Sequence, residues 1–390
     1  MADPIRVVII DDSSVARNML TSMLSRDPTI RVVGQARDGQ EGIRIVQALR
    51  PDVITMDVSM PGLDGIATTE HLMAYCPTPI LVLTGSLSSH EVDITFRMLD
   101  AGALEVIEKP SGVDLQQFER ATRDLIRRIK ILARVRVVTH LRGRRRTGEL
   151  GRTAPLISVP DQPRAMQRAE KPIQPQPLPA LQGRMSHSPN QFPLIMIGAS
   201  TGGPRVVHRI LSELPSDLHA AIVVVQHIAE GFGPGMAEWL QNVSRLPVRL
   251  ASEDQLIVPG QVLVAPDQRD LLITAQKRIH LTQAPLLLQR PSIDIAMQAA
   301  AEVFASRTVG VLLTGMGRDG AFGMLTIRKR GGHTIAQDEQ SCTIFGMPKA
   351  AIQIDAVSEV LAPHQIACRL IEFARLQRAE VSTDSRCGTL

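Results

Sequence analysis

Val7-Val8-Ile9-Ile10-Asp11-Asp12 is a short β-branched run that ends on two carboxylates, and the same arrangement recurs along the first third of the chain. Val53-Ile54-Thr55-Met56 runs into Asp57, Ile80-Leu81-Val82-Leu83 runs into Thr84, and Leu104 to Ile107 ends near Lys109-Pro110. Arg31-Val32-Val33 supplies a further strand. Helical segments lie between: Val15, Met19, Leu20, Met23 and Leu24 share one face behind Ser14, which reads as the cap, and Ile43, Val46 and Leu49 mark a second helix. Alternating strands and helices predict a parallel α/β sheet over residues 1–133. Function in such sheets gathers at the carboxyl ends of the strands, which here carry Asp11, Asp12, Asp57, Thr84 and Lys109.

Working outward, residues 134–190 change character. The segment opens with Arg134, Arg136, Arg142 and Arg144-Arg145-Arg146 and continues into Lys171-Pro172-Ile173-Gln174-Pro175-Gln176-Pro177-Leu178-Pro179. Such a stretch buries too little apolar surface to offset its ordering entropy, and reads as a flexible, extended linker. Strand–helix alternation resumes over 191–380, where Leu194 to Ile197, Ile222 to Val225, Val262 to Val264 and Val309 to Leu313 are compact apolar runs suited to strands buried on both faces. Residues 381–390 read as a polar tail. The expected architecture is two doubly wound parallel-sheet α/β domains on a tether.

Composition excludes several classes of function. A net charge of +4 over 390 residues is small, and no aromatic side chain interleaves with the arginine cluster, so a nucleic-acid partner is not expected. Cys76, Cys342, Cys368 and Cys387 form no C-x-x-C pair, which argues against a disulfide framework or a zinc site and suits a reducing compartment. The start of the chain carries no apolar signal core, and no apolar run reaches bilayer length. The expectation is a cytoplasmic protein without membrane insertion.

Three neighbouring carboxylates repel one another unless a cation intervenes, and a hard ion such as Mg²⁺ answers that need. One carboxylate beside it can then attack a phosphoryl group, with Thr84 and Lys109 holding the phosphoryl oxygens. With Met60-Pro61-Gly62-Leu63-Asp64-Gly65 added to these positions, the first region resembles the two-component response-regulator receivers, of flavodoxin-like fold. The resemblance implies Asp57 as phosphoacceptor, with Asp11, Asp12 and Asp57 around the metal and a histidine kinase as phosphodonor. Two positions depart from the family pattern. Val106 stands where Phe or Tyr is common, and Ser59 where Glu is common.

A second constellation lies in the later region. Ser200 sits in Gly198-Ala199-Ser200-Thr201-Gly202 between a strand and a helix, the setting of a nucleophile elbow, although glycine-rich turns also cradle phosphates. Among the ten histidines, His227 alone directly follows a strongly apolar strand-like run, which makes it the candidate general base. Asp319 lies in Thr314-Gly315-Met316-Gly317-Arg318-Asp319-Gly320 and can orient that base. The same loop satisfies G-x-G-x-x-G, with Asp338 and Glu339 downstream, so a nucleotide-dependent enzyme stays open. So does a non-catalytic adaptor built on the receiver and basic linker.

The order Ser, His, Asp differs from that of the α/β-hydrolases. Together with Ile197 to Pro204, Gln226-His227, Val264-Ala265-Pro266, Arg290-Pro291-Ser292-Ile293-Asp294 and Phe345-Gly346-Met347-Pro348-Lys349, it is similar to the catalytic domain of the chemotaxis protein-glutamate methylesterases, of Rossmann-like fold. The resemblance implies Ser200 as nucleophile, His227 as base and Asp319 as its partner. The Met316 N–H would then serve the oxyanion, with Thr201 assisting. Methionine is common in the family where Ile228 stands here. The implied reaction is phosphorylation-activated hydrolysis of glutamate methyl esters on methyl-accepting chemoreceptors, with glutamine deamidation beside it and no cofactor for either. The receiver is expected to cover the catalytic cleft and to shift on phosphorylation.

Overall fold

Burial on both faces turns the apolar runs into two parallel sheets. The computed structural model describes residues 3–85, 89–110, 115–135, 137, 192–283 and 290–387, without the side chains of residues 89, 90, 115 and 378–387. Strands β1 (Ile5–Ile10), β2 (Ile30–Ala36), β3 (Val53–Asp57), β4 (Ile80–Thr84) and β5 (Glu105–Glu108) pair in the order β2-β1-β3-β4-β5, all parallel. Alternate residues serve opposite faces. Val7, Ile9, Val53, Leu81 and Leu83 pack with Leu20 and Met23 of α1 (Ser14–Leu24) and with Leu125 and Ile129 of α5 (Leu115–Leu132). Val8, Ile10, Ile54, Met56 and Val82 face Val46 of α2 (Gly39–Leu49), Leu72 of α3 (Gly65–Tyr75) and Phe96 of α4 (Ser89–Ala101). Helices on both faces and this strand order make the first domain flavodoxin-like, as expected.

Two local readings are corrected. The cap of α1 is Ser13, not Ser14: Ser13 has extended backbone and its hydroxyl accepts from the Ala16 N–H at 3.3 Å, while its own N–H is held by Asp11 Oδ1 at 3.0 Å. Val15 is 76% exposed and takes no part in the core face, because the first turn of α1 lies beyond the strand ends with no sheet beneath it.

The second sheet contains seven parallel strands in the order β14-β13-β12-β6-β7-β9-β8. They are β6 (Leu194–Ala199), β7 (Ala221–Gln226), β8 (Val248–Leu250), β9 (Val262–Val264), β12 (Thr308–Leu312), β13 (His333–Gln337) and β14 (Glu359–Leu361), with an antiparallel hairpin of β10 (Asp270–Ile273) and β11 (Ile279–Thr282) beside them. Ile195, Ile197, Ile222, Val224, Val309 and Val311 turn to one side, under α6 (Gly203–Glu213), α7 (Gly233–Gln241) and α11 (Pro363–Cys387). Leu194, Met196, Val223, Val225 and Leu312 turn to the other, under α8 (Ile293–Phe304), α9 (Ala321–Lys329) and α10 (Met347–Gln353). Both domains are therefore doubly wound. Apart from 134, 135 and 137, the residues assigned to the linker lie outside the described residues, as do 388–390; the stretch read as a tail continues α11 through residue 387. Among the described residues, no helix is long and apolar enough to cross a membrane.

The two domains share one hydrophobic cluster. Phe96 of α4 stacks on Trp239 of α7 with ring centroids 5.1 Å apart and meets Phe232 edge-on at 6.5 Å. The Trp239 indole N–H donates to Asp100 Oδ2 at 3.0 Å. Gly235 lets the helices approach this closely, since a β-carbon there would stand 2.0 Å from Val92 Cγ1. Trp239 is the only tryptophan in the chain, so its fluorescence reports this contact. Phe96→Ala should shift its emission to longer wavelength as water reaches the indole; an unchanged maximum would show that the helices do not meet there in solution.

Candidate active site and phosphoacceptor cluster

Because β1 and β3 are neighbours, with Ile10 opposite Met56, Asp11 and Asp57 leave the sheet side by side. Asp12 joins them, and one carboxylate oxygen from each of the three lies within 4.8 Å of the others. Asp11 and Asp57 are buried and Asp12 is exposed. The Lys109 ammonium, at the end of β5, bridges Asp11 Oδ2 at 2.9 Å and Asp57 Oδ1 at 2.8 Å. Burial pulls the Lys109 ammonium down, but its hydrogen bonds to Asp57 and Asp11 outweigh this and hold it above its ordinary value. Burial pushes Asp57 up, against the pull of Lys109. Three carboxylates with two of them buried form an oxygen-only donor set that fits a hard divalent ion. Thr84, on β4 beside them, donates its hydroxyl to Glu91 Oε2 of α4 at 2.9 Å.

The second cluster is assembled in the same way. Ala199 pairs with Gln226 across β6 and β7, so Ser200 and His227 are the first residues beyond two adjacent strand ends. His227 N–H donates to Ala199 O at 3.0 Å, which ties its loop to the end of β6, and Ser200 N–H donates to Thr314 O at 3.0 Å, which ties its loop to the segment after β12. His227 Nε2 lies 2.8 Å from Asp319 Oδ2. A carboxylate accepts, so Nε2 carries the proton and Nδ1 keeps the lone pair. Nδ1 is buried and has no hydrogen-bond partner. Serine proteases use the ring the other way round, with Nδ1 toward the acid.

Asp319 is held more tightly than any other group in the site. Oδ2 also accepts from the Ile293 N–H at 2.8 Å, while Oδ1 accepts from the N–H groups of Asp294 at 2.9 Å and Gly320 at 3.0 Å and from the Ser292 hydroxyl at 3.2 Å. Of these donors, Ser292, Ile293 and Asp294 form the N-terminus of α8, capped by Ser292, and Gly320 is the N-cap of α9. Burial pushes the Asp319 carboxyl up, but His227 and the backbone donors together hold it below the ordinary carboxylate value.

Met316 follows an anchored glycine. The Gly315 carbonyl accepts from Met347 N–H at 2.9 Å and Gly346 N–H at 3.2 Å. In a trans peptide the next N–H points the opposite way, so the Met316 N–H is aimed away from the Met347 and Gly346 donors of α10. A cleft of about 720 Å³ is lined by Ser200, Thr201, His227 and Met316 on one side and by α4, β5 and α5 of the first domain on the other. Val106 is among its lining residues. Arg127 of α5 crosses it, with Nη1 3.8 Å from Met316 Sδ.

The structure thus gathers Ser200, Thr201, His227, Asp319 and Met316 in one place, and Asp11, Asp12, Asp57, Thr84 and Lys109 in another. Arg127 was not singled out in the sequence, and Gln226, Ser292 and Asp294 were quoted in motifs without a role. Ser292 and Asp294 had a visible signal in Pro291-Ser292-Ile293-Asp294, a helix-start pattern. Burial, followed by the nearby Asp319 charge, raises Asp294 to about 6 from 3.8. A carboxyl raised in the folded state stabilises below its unfolded value and loses that contribution as pH rises through the folded one. Asp294 Oδ1 accepts from Gly323 N–H at 2.7 Å, a bond that an amide oxygen can keep. Asp294→Asn should therefore raise the thermal midpoint at pH 8 and leave it unchanged at pH 4. Equal midpoints at both values would show that Asp294 ionises normally.

The family model described as response regulator receiver domain matches residues 7–119, and that described as CheB methylesterase matches residues 195–370. The protein-glutamate methylesterase/protein-glutamine glutaminase of Symbiobacterium thermophilum is 40% identical over 367 residues, covering 93% of this chain and 95% of that protein. Enzyme 1 of that name in Syntrophus aciditrophicus is 38% identical, covering 95% and 98%, and enzyme 3 in Anaeromyxobacter dehalogenans is 40% identical, covering 95% and 99%. With both domains matched in order and nearly full mutual coverage, the chain belongs to the receiver-linked protein-glutamate methylesterase/protein-glutamine glutaminase family.

Proposed function

We propose that this chain hydrolyses glutamate methyl esters, and deamidates glutamines, on methyl-accepting chemoreceptors, under control of phosphorylation at Asp57 by a chemosensory histidine kinase. The observation that carries the reading is the His227–Asp319 pair at 2.8 Å beside Ser200 in a cleft the receiver closes. His227 Nδ1 takes the Ser200 proton as Oγ attacks the ester carbonyl, and Asp319 stabilises the resulting imidazolium through Nε2. The Met316 N–H faces the developing oxyanion, a contribution of about 3 kcal/mol for one such donor. His227 returns the proton to the departing methoxide, which leaves as methanol. Water, deprotonated by His227, then splits the acyl-enzyme to free glutamate and Ser200. An amide substrate follows the same steps and releases ammonia. Thr201 assists from beside the nucleophile.

In the receiver, Asp57 is the acceptor, and Asp11, Asp12 and Asp57 would hold Mg²⁺, whose charge offsets that of the incoming phosphoryl group. Lys109 and Thr84 contact the phosphoryl oxygens. For Thr84 to do so its hydroxyl leaves Glu91, and α4 carries the consequence to Phe96 and the cleft. With Val106 in place of an aromatic ring, this helix is the route that Thr84 and Glu91 favour. A shift of a few kcal/mol between closed and open packings is sufficient.

Methanol release from methylated receptor signalling domains tests the reading. Wild type should release it, Ser200→Ala should not, and a small phosphodonor with Mg²⁺ should accelerate wild type but not Asp57→Asn. Absence of release in every sample would favour the adaptor, in which signalling survives Ser200→Ala. Arg127→Ala should raise the unphosphorylated rate severalfold, toward the phosphorylated one, because it frees the Met316 loop; a rate equal to wild type would remove Arg127 from the control.

A further inference from the structure

Gln226 is 2% exposed and stands between the nucleophile and the base. Its Nε2 donates at 2.9 Å to the main-chain carbonyl of Ser200 and at 2.9 Å to that of His227. One amide therefore binds the two residues whose separation governs proton transfer. Its Oε1 is buried and accepts no hydrogen bond. An unsatisfied buried acceptor is unfavourable, and an apolar side chain of the same length would avoid it. What the amide brings in return is its pair of donors. The packing supports the same point. A β-carbon on Gly203 would stand 2.5 Å from Gln226 Oε1, so the glycine at the start of α6 leaves the room this amide occupies.

Resting on the esterase reading above, we infer that Gln226 is a positioning residue for the reaction, a clamp that fixes the Ser200 loop against the His227 loop. Strand pairing ends at Ala199 and Gln226, and its last bond, from His227 N–H to Ala199 O at 3.0 Å, holds His227 to the residue before Ser200 but not to Ser200 itself. Ser200 Oγ and His227 Nδ1 are not hydrogen-bonded in the resting site, since Nδ1 has no partner. Small loop movements must bring them together, and the clamp restricts which movements occur. Misplacement of reacting groups by about 1 Å costs roughly 100-fold in rate.

Gln226→Met keeps the volume and removes both donors. Gln226→Glu keeps the shape, with one donor while the carboxyl is protonated and none once it ionises. The full-length protein is assayed for methanol release and for labelling of Ser200 by a fluorophosphonate. Gln226→Met should lose about 100-fold in kcat with KM unchanged, and labelling should slow in parallel. Gln226→Glu should recover activity as pH falls, expressed relative to wild type measured at each pH. A kcat for Gln226→Met within about threefold of wild type overturns the inference. Should Gln226→Met fail to fold, the Gln226→Glu profile decides: a constant ratio to wild type across pH overturns the inference. If wild type itself neither releases methanol nor labels at Ser200, the esterase reading fails instead.

Discussion

The catalytic half of this molecule depends on one buried charge, the carboxylate of Asp319. Desolvation alone would favour its neutral form, and a neutral acid would hold the His227 ring more weakly and could not offset the charge of its imidazolium. Four donors from residues 292, 293, 294 and 320, together with His227 Nε2, reverse that balance. Charge-assisted bonds of this kind are about twice as strong as neutral ones, and the N-terminal end of α8 adds its partial positive charge. The sheet order makes this possible, because β12 lies beside β6 and β6 beside β7. Asp319, Ser200 and His227 thus arrive at one edge from three consecutive strand positions. Ser292 and Asp294 belong to the same device, the first as cap and donor, the second as a neighbouring acid kept largely protonated below about 6.

Control is built on a different balance. The receiver and the catalytic domain share one apolar cluster, yet its centre is aromatic, where most of either core is aliphatic. Only 3% of the chain is Phe, Trp or Tyr, and Phe96, Phe232 and Trp239 meet at this one place. Stacked and edge-on rings contribute about 0.5–1.5 kcal/mol per pair beyond their burial. That is on the scale of the few kcal/mol that redistribute two packings of a protein. Arg127 adds a contact to the Met316 loop that depends on the same docking.

Much of this was legible in the sequence, for identifiable reasons. Strand ends announced both clusters, since a β-branched run followed by Asp, Thr, Lys, Ser or His is easily read and a parallel sheet brings such ends together. The short strands β8 and β14, of three residues each, offered too little pattern to separate from loops, and the β10–β11 hairpin does not share the parallel periodicity. Ser14 was taken for the cap because two serines adjoin, and only backbone geometry distinguishes them. Gln226 was quoted beside His227 but an amide has no reactivity to mark it; its importance lies in two carbonyls that sequence does not bring together. Arg127 is one of several arginines on an amphipathic helix, and nothing in its neighbours indicates that it faces another domain.

The geometry of the receiver also bears on how a signal can cross. Thr84 cannot hold Glu91 and a phosphoryl oxygen through the same proton. One hydroxyl therefore chooses between the acid cluster and α4, and α4 carries both Glu91 and Phe96. An aromatic ring on β5 would report the same choice by swinging inward, but Val106 is too short to do so and lies at the cleft already. On the proposed reading the message travels along α4, whose Phe96 is stacked on Trp239. Activation and release of the interface are on that reading one event, because Glu91, which Thr84 gives up to reach the phosphoryl group, and Phe96, which stacks on Trp239, are joined by less than two turns of that helix.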